Sequence, residues 1–339
     1  MEETKKIWFN RKFINWNEAK IHILAHVLHY GGGIFEGIRA YSTEKGPAVF
    51  RLKDHLKRFF YSASQIEMKI PFSKEEIEKA ILNLIKINKV KECYIRPIAF
   101  FGYGKMGLNP QGSPVNVAIA LWPWGSYLGE EPVKVKISKF IRFHPKSVIS
   151  EAKICGYYIN SIFASLEAKR AGFDEALLLD YQGFVAEGPG ANIFIVKNKK
   201  LFTPKKGSIL TGITRDCIIK IAKDFGIEVK EKRIRVSELK SANEAFFVGT
   251  GVEICPIGQI DKTLINKGKI GEITKKIKNF YQKIIHGKVK KYLKWLTFVT
   301  PQHPPTLLPT SISTLSPSAN PVNPKNIQKK YKIKKYKKI

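Results

Sequence analysis

Residues 151–160 read Glu-Ala-Lys-Ile-Cys-Gly-Tyr-Tyr-Ile-Asn, and residues 187–192 read Glu-Gly-Pro-Gly-Ala-Asn. The stretch between these two marks decides the fold. It opens on one lysine, Lys153, among small and aromatic residues. Ile159, Ile162, Phe163 and Leu166 then recur at helical spacing and predict an amphipathic helix, with Gly172 as its stop. The apolar run 176–179 predicts a strand. The stretch ends with Glu187 on a glycine-rich turn.

An amine condenses with an aldehyde to a Schiff base, and a carboxylic acid can keep a pyridine nitrogen protonated. Lys153, Tyr158 five residues on, and Glu187 could therefore hold a pyridoxal phosphate ring. Taken singly, each has a plainer reading: a solvated lysine in a lysine-rich chain, and a turn acid. The rest of the chain has to decide.

A chain of 339 residues can bury a sizeable core and fits two domains. Hydrophobic residues make up 44% and charged residues 26%, as in soluble globular proteins. No apolar run approaches the roughly 20 residues of a membrane span, and the N-terminus lacks an apolar signal region. A cytoplasmic location with no membrane partner is the expectation. Cys93, Cys155, Cys217 and Cys255 form no Cys-x-x-Cys pair, so reduced, mostly buried thiols are expected rather than a metal site. The formal net charge of +31 invites a nucleic-acid reading. Part of it is local: residues 325–339 hold eight lysines and no acid. Zinc-finger, basic-zipper and RNA-recognition signatures are missing, so no nucleic acid is expected. Binding of an anionic surface through the basic tail stays as the non-enzyme alternative.

Outward from the centre, residues 6–16 predict two short strands around Asn10-Arg11. Three glycines, 31–33, precede Phe35-Glu36-Gly37-Ile38-Arg39. This run is either a hairpin with a flexible turn or a substrate-pocket wall that uses Tyr30, Phe35 and Arg39. Asp54 is placed as the N-cap of a helix, and Ser73-Lys74-Glu75-Glu76 as a capping box. The strand 94–101 carries Arg96 inside it, which needs a partner: a substrate carboxylate or an internal salt bridge. Residues 192–196 and 200–203 predict a hairpin. Gly212-Ile213-Thr214 before a helix is a phosphate seat or a simple threonine cap. A second turn, Gly249-Thr250-Gly251, follows a strand. Residues 301–324 are rich in Pro, Ser, Thr and Asn and predict disorder.

Eight motifs in one order now carry a resemblance. They are Tyr-Gly-x-x-x-Phe-Glu-Gly-Ile-Arg (30–39), Tyr-Ile-Arg-Pro (94–97), Met-Gly-Leu-Asn-Pro (106–110) and Pro-Trp-Gly-Ser-Tyr-Leu-Gly (123–129). The others are Ala-Lys-x-x-Gly-x-Tyr (152–158), Glu-Gly-x-Gly-x-Asn (187–192), Gly-Ile-Thr-Arg (212–215) and Gly-Thr-x-x-Glu (249–253). Over about residues 5–298 the chain resembles the branched-chain amino acid aminotransferases, pyridoxal 5'-phosphate enzymes of fold type IV.

The resemblance implies an α/β fold of two domains: a small N-terminal domain (1–121), a linker (122–130) and a larger C-terminal domain with a barrel-like sheet (131–298). A disordered tail (299–339) follows. It implies reversible transamination of leucine, isoleucine or valine with 2-oxoglutarate, in a homodimer or a dimer-based hexamer. Lys153 would be catalytic and carry the cofactor. Tyr158 and Glu187 would meet the ring, and Arg58, Ile213, Thr214 and Thr250 the phosphate, with Gly249 also cofactor-binding. Tyr94, Thr250 and Gly251 would take the substrate α-carboxylate, and Arg96 the distal carboxylate of glutamate. Tyr30, Phe35, Gly37, Arg39 and Trp124 would line the rest of the substrate pocket, with Leu108 and Tyr127 from a partner subunit. No metal is implied. A D-amino acid aminotransferase or aminodeoxychorismate lyase of the same fold is the alternative enzyme, and the 35–39 and 94–97 runs argue against both.

Overall fold

A computed structural model describes residues 2–125, 128–129 and 131–299. Tyr127 and the tail expected to be disordered beyond Val299 lie outside the described residues.

The expected N-terminal turn forms: Asn10 and Arg11 both take positive φ (44 and 71) and join β1 (Lys6–Phe9) to β2 (Lys12–Asn15) as an antiparallel hairpin. The triple-glycine region differs from a simple hairpin. A short helix, α1 (His26–Tyr30), ends on Gly31 in the left-handed region (φ 67), where a side chain would strike the backbone of Gly156. Next come β3 (Gly33–Phe35), β4 (Ile38–Thr43) and β5 (Gly46–Phe50). Helix α2 (Leu52–Ser64) starts earlier than expected: its N-cap is Arg51, and Asp54 lies in the first turn, where Arg51 Nε donates to it at 2.5 Å. An acid there still complements the positive end of the helix. The capping box of α3 (Lys74–Asn88) is present, with Ser73 Oγ accepting from Glu76 N–H at 3.1 Å and the Glu76 carboxylate accepting from Ser73 N–H at 2.8 Å. Strands β6 (Cys93–Phe101) and β7 (Val115–Trp122) follow.

The second half runs β8 (Val133–Ile137), α4 (Tyr158–Arg170), β9 (Glu175–Leu179), β10 (Val185–Glu187), β11 (Asn192–Lys197) and β12 (Lys200–Pro204). It continues with α5 (Ile213–Asp224), β13 (Val229–Lys232), α6 (Val236–Lys240), β14 (Glu244–Gly249) and β15 (Glu253–Ile260). It ends with β16 (Thr263–Leu264), α7 (Glu272–Ile285) and β17 (Leu296–Phe298).

Two sheets result. The first has the order β17-β5-β4-β6-β7-β1-β2, with β3 also on β6, and takes one strand from the far end of the chain. In the second, β10-β9-β8-β15-β14-β11 closes on itself because β11 pairs back to β10 through Glu187 and Asn192. This closed ring of six strands is the barrel-like sheet expected. Alternation along β11 sends Ile193 and Ile195 into one apolar cluster with Phe247 and Ile257, and Phe194 and Val196 into another with α5 and α7. That second cluster also holds Tyr41, Ala48 and Phe50 of the first sheet, so one core joins both halves. Helices α2 and α3 cover the first sheet with Leu56, Phe59, Ile77, Ile81 and Leu84.

Helix α4 forms where the periodicity placed it, but its apolar stripe faces outward. Ile159, Ile162, Phe163 and Leu166 are 46–52% exposed, while Ser161, Ala164 and Ala168 are buried.

Candidate active site

Lys153 is fixed by the first sheet although it precedes the helix of the second half. Phe35 N–H donates to its carbonyl at 3.1 Å, and its own N–H donates to Ser62 Oγ at 2.9 Å. Its Nζ donates to Tyr158 Oη at 2.5 Å and lies 4.8 Å from the centre of the Phe35 ring. The ammonium thus enters a cleft between the two sheets with its direction set by backbone bonds and one hydroxyl.

Glu187 ends β10 and is buried. It forms an ion pair with Arg142 Nη2 at 2.9 Å and accepts from Asn192 Nδ2 at 3.0 Å and Leu210 N–H at 3.1 Å. Burial pushes its carboxyl up, and Arg142, Leu210 and Lys153 offset that only in part. A proton is therefore easier to place on this acid, or between it and a base opposite, than on an exposed glutamate.

The other end of the cleft is rich in N–H groups. Gly212 is the N-cap of α5 and supplies no cap side chain to the first amides of the helix, and Ile213 and Thr214 line the cleft there. Gly249, Thr250 and Gly251 line the same end, with Arg58 from α2. Arg58 is held by Glu36, the buried residue between β3 and β4, through Nε at 2.6 Å and Nη2 at 2.9 Å. Tyr94 reaches the cleft because Gly37 has no side chain: a Cβ there would fall 2.0 Å from the Tyr94 hydroxyl.

Lys153, Tyr158, Glu187, Arg58, Ile213, Thr214, Gly249, Thr250, Gly251, Gly37 and Tyr94 are thus brought to one cleft, 11 of the residues singled out in the sequence. Others lie around it. Arg96 Nη2 donates to Tyr94 Oη at 3.2 Å, and its guanidinium stacks 4.7 Å from the Phe35 ring. Arg96 Nε is buried and has no hydrogen-bond partner among the described residues. Trp124 packs 5.0 Å from Tyr94. Arg39 does not line the cleft. It donates to Glu253 at 2.8 Å and to the Trp124 carbonyl at 2.9 Å, tying the Gly-Thr-Gly turn to the Trp124 segment from behind. Tyr30 and Leu108 lie on a different, open cleft with His26 and Met68, and Leu108 is 85% exposed.

Four contributors escape the sequence reading. Arg142 has no local signature in the sequence. Glu36 enters only as part of a motif. His55 and Ser62 share a face of α2 with Arg58 at i, i+3 and i+7, a spacing visible in the sequence once Arg58 is chosen.

Comparison with known proteins fits this geometry. The family model described as amino-transferase class IV matches residues 33–260. A branched-chain-amino-acid aminotransferase of Pseudomonas aeruginosa is 43% identical over 297 residues, which cover 86% of this chain and 97% of that protein. Its Escherichia coli counterpart is 40% identical over 302 residues, with 86% and 98% covered. The crystal structure of a branched-chain aminotransferase from the archaeon Thermoproteus uzoniensis, solved with norvaline, matches with a TM-score of 0.85 at 43% identity, over 88% of this chain and 100% of that one. The lysine, the buried acid and the amide-lined seat thus sit on a matched fold, and the chain belongs to the class IV aminotransferase family.

Proposed function

We infer that this chain transfers the amino group of leucine, isoleucine or valine to 2-oxoglutarate, with pyridoxal 5'-phosphate as cofactor. The observation that carries the reading is Lys153 Nζ, 2.5 Å from Tyr158 Oη, in the same cleft as a buried Glu187 and an amide-rich seat. The relatives with which the chain aligns over nearly their whole length bear the branched-chain name. Another solved branched-chain amino acid aminotransferase, 42–43% identical to this chain, has been crystallised with pyridoxamine 5'-phosphate, with N-(5'-phosphopyridoxyl)-L-glutamate and with 4-methylvaleric acid.

The residues present fit such a cofactor. The cleft is lined by Lys153, Tyr158, Glu187, Arg58, Thr214 and Thr250. It pairs an amine with an acid whose carboxyl is pushed up, and ends in uncapped helix amides. When bound, pyridoxal phosphate supplies an aldehyde for amines and a ring that accepts the electron pair released at the substrate α-carbon. Lys153 Nζ would hold the cofactor and move the α-proton, directed by Tyr158. Glu187 would hold a proton toward the ring nitrogen. The α5 amides, Thr214, Thr250 and Arg58 would take the phosphate. Arg96, whose Nε has no partner among the described residues, would meet the distal carboxylate of glutamate, while Phe35 and Trp124 would wall the aliphatic side chain.

A homodimer belongs to the same reading. Leu108 and the stripe on α4 are exposed apolar surface that a second copy would cover, and Leu108 lies away from this chain's own cleft. The division into domains at 122–130 and a cytoplasmic location complete it; among the described residues no helix is long and apolar enough to cross a membrane.

The test is a donor panel on purified, cofactor-loaded protein. Leucine, isoleucine, valine and glutamate should each convert the cofactor absorbance in a single turnover, and D-alanine should not. Conversion by D-alanine alone would move the chain to a D-amino acid aminotransferase.

A further inference from the structure

Glu36 is fully buried, and its carboxylate gathers donors from one helix face. Arg58 binds it twice, His55 Nδ1 lies 2.7 Å from Oε2, and the Gly37 N–H donates at 3.3 Å. A carboxylate only accepts, so His55 carries its proton on Nδ1. Burial pushes the Glu36 carboxyl up, but Arg58 and His55 more than reverse this and hold it well below the ordinary carboxylate range. Burial also pushes the His55 imidazole down, more than Glu36 raises it. The cluster is therefore an anion, a guanidinium and a neutral imidazole.

An isolated buried ion pair is a poor source of stability, because desolvation offsets the attraction. Its value here lies in what it does to Arg58. A guanidinium has five N–H donors in a rigid fork. Glu36 occupies the Nε–Nη2 edge, and the Thr211 carbonyl takes one bond from Nη1 at 3.2 Å. What remains is the outer edge, with one N–H on each terminal nitrogen, on a residue that lines the cleft with Thr214 and Thr250.

We propose that Glu36 and His55 are positioning residues: they lock Arg58 so that its outer edge faces a phosphate monoester, and they cancel its charge, so the seat selects phosphate by hydrogen-bond geometry rather than by net charge. This rests on the reading that Arg58 takes the cofactor phosphate.

The experiment measures equilibrium binding of pyridoxal 5'-phosphate and of phosphate-free pyridoxal to the full-length apoprotein, with inorganic phosphate as competitor. Arg58→Ala should bring the two affinities together. Glu36→Gln should weaken the phosphorylated ligand by about 10–100-fold, as loss of an outer partner does at metal sites, and leave pyridoxal unchanged. Adding Glu36→Gln to Arg58→Ala should cost nothing more, because Glu36 acts only through Arg58. His55→Gln, a gentler change, should show the same split with a smaller loss, and it carries the test should Glu36→Gln not fold. If Arg58→Ala separates the ligands no differently from the parent, the phosphate reading itself falls. If it behaves as expected but Glu36→Gln and His55→Gln bind both ligands like the parent, the positioning role falls alone. Equal losses for both ligands, or tighter phosphate binding by Glu36→Gln, also overturn it.

Discussion

Glu36 and Glu187 are two buried glutamates of one site with opposite proton behaviour. Burial pushes both upward. Glu36 meets its arginine side-on through two nitrogens and takes a third bond from an imidazole. Glu187 meets Arg142 through one nitrogen, and that arginine also reaches Asn160 and Ser161 at 3.3 and 3.4 Å. The geometry of the cation, rather than depth of burial, decides which acid is a fixed anion and which can share a proton. A fixed anion suits a support, and a shared proton suits chemistry.

The comparison breaks if the two acids respond alike to substitution. Glu187→Gln should lower turnover by about 100- to 10,000-fold, the range for removing a positioned proton-holding group, with cofactor still bound; steady-state assays with leucine check this. Glu36→Ala should instead unfold more easily, losing about 3 kcal/mol because Arg58, 11% exposed, loses its counter-charge. Urea denaturation measures it, and Glu187→Gln should lose much less. Arg96 offers a third polar group for contrast, one with a nitrogen still unpartnered among the described residues. Arg96→Leu should weaken the glutamate half-reaction by roughly 2–5 kcal/mol and change the leucine half-reaction far less. Equal losses would make Arg96 structural.

Acidity sharpens the contrast further. Glu36 has a lowered folded value, so its stabilisation is fully present above the ordinary carboxylate pKa of about 4.3 and fades as pH falls through the folded value. Glu187 has a raised one, so its contribution is present below about 4.3 and is lost as pH rises through the folded value. In cofactor-free protein, the melting temperature of Glu187→Gln should therefore gain on the parent as pH rises from about 4.3. The smallest effect is expected from the tail: a chain ending at Val299 should keep its melting temperature and turnover, and a large loss of either would show that the tail docks.

Much of this was legible in the sequence because the signals are local. The Asn10-Arg11 turn, the Ser73 box and the Lys153–Tyr158 spacing each depend on neighbours within a few residues. What was not legible depends on partners far along the chain. The stripe Ile159, Ile162, Phe163 and Leu166 announced a helix but not which side packs, and small Ala164 and Ala168 took the close contact with β9 instead. Arg39 looked like a pocket residue from its motif, yet its partner, Glu253, lies 214 residues away and draws it behind the cleft. Glu36 and Arg58, 22 residues apart, meet only once β3 and α2 have packed.

The order in which the chain is made gives β17 a further meaning. Leu296–Phe298 pairs with β5, Arg51 N–H donates to the Trp295 carbonyl at 2.6 Å, and Val299 N–H donates to the Pro47 carbonyl at 2.8 Å. A ribosome releases residues 46–50 long before residue 296, so β5 waits as a bare sheet edge through most of synthesis, the kind of edge that recruits other chains. The closing segment acts as a zip fastener that seals the first sheet only when the catalytic body is whole. A nascent chain stalled before Leu296 would present that open edge to its neighbours, and a fragment cut at 122–130 would carry it permanently.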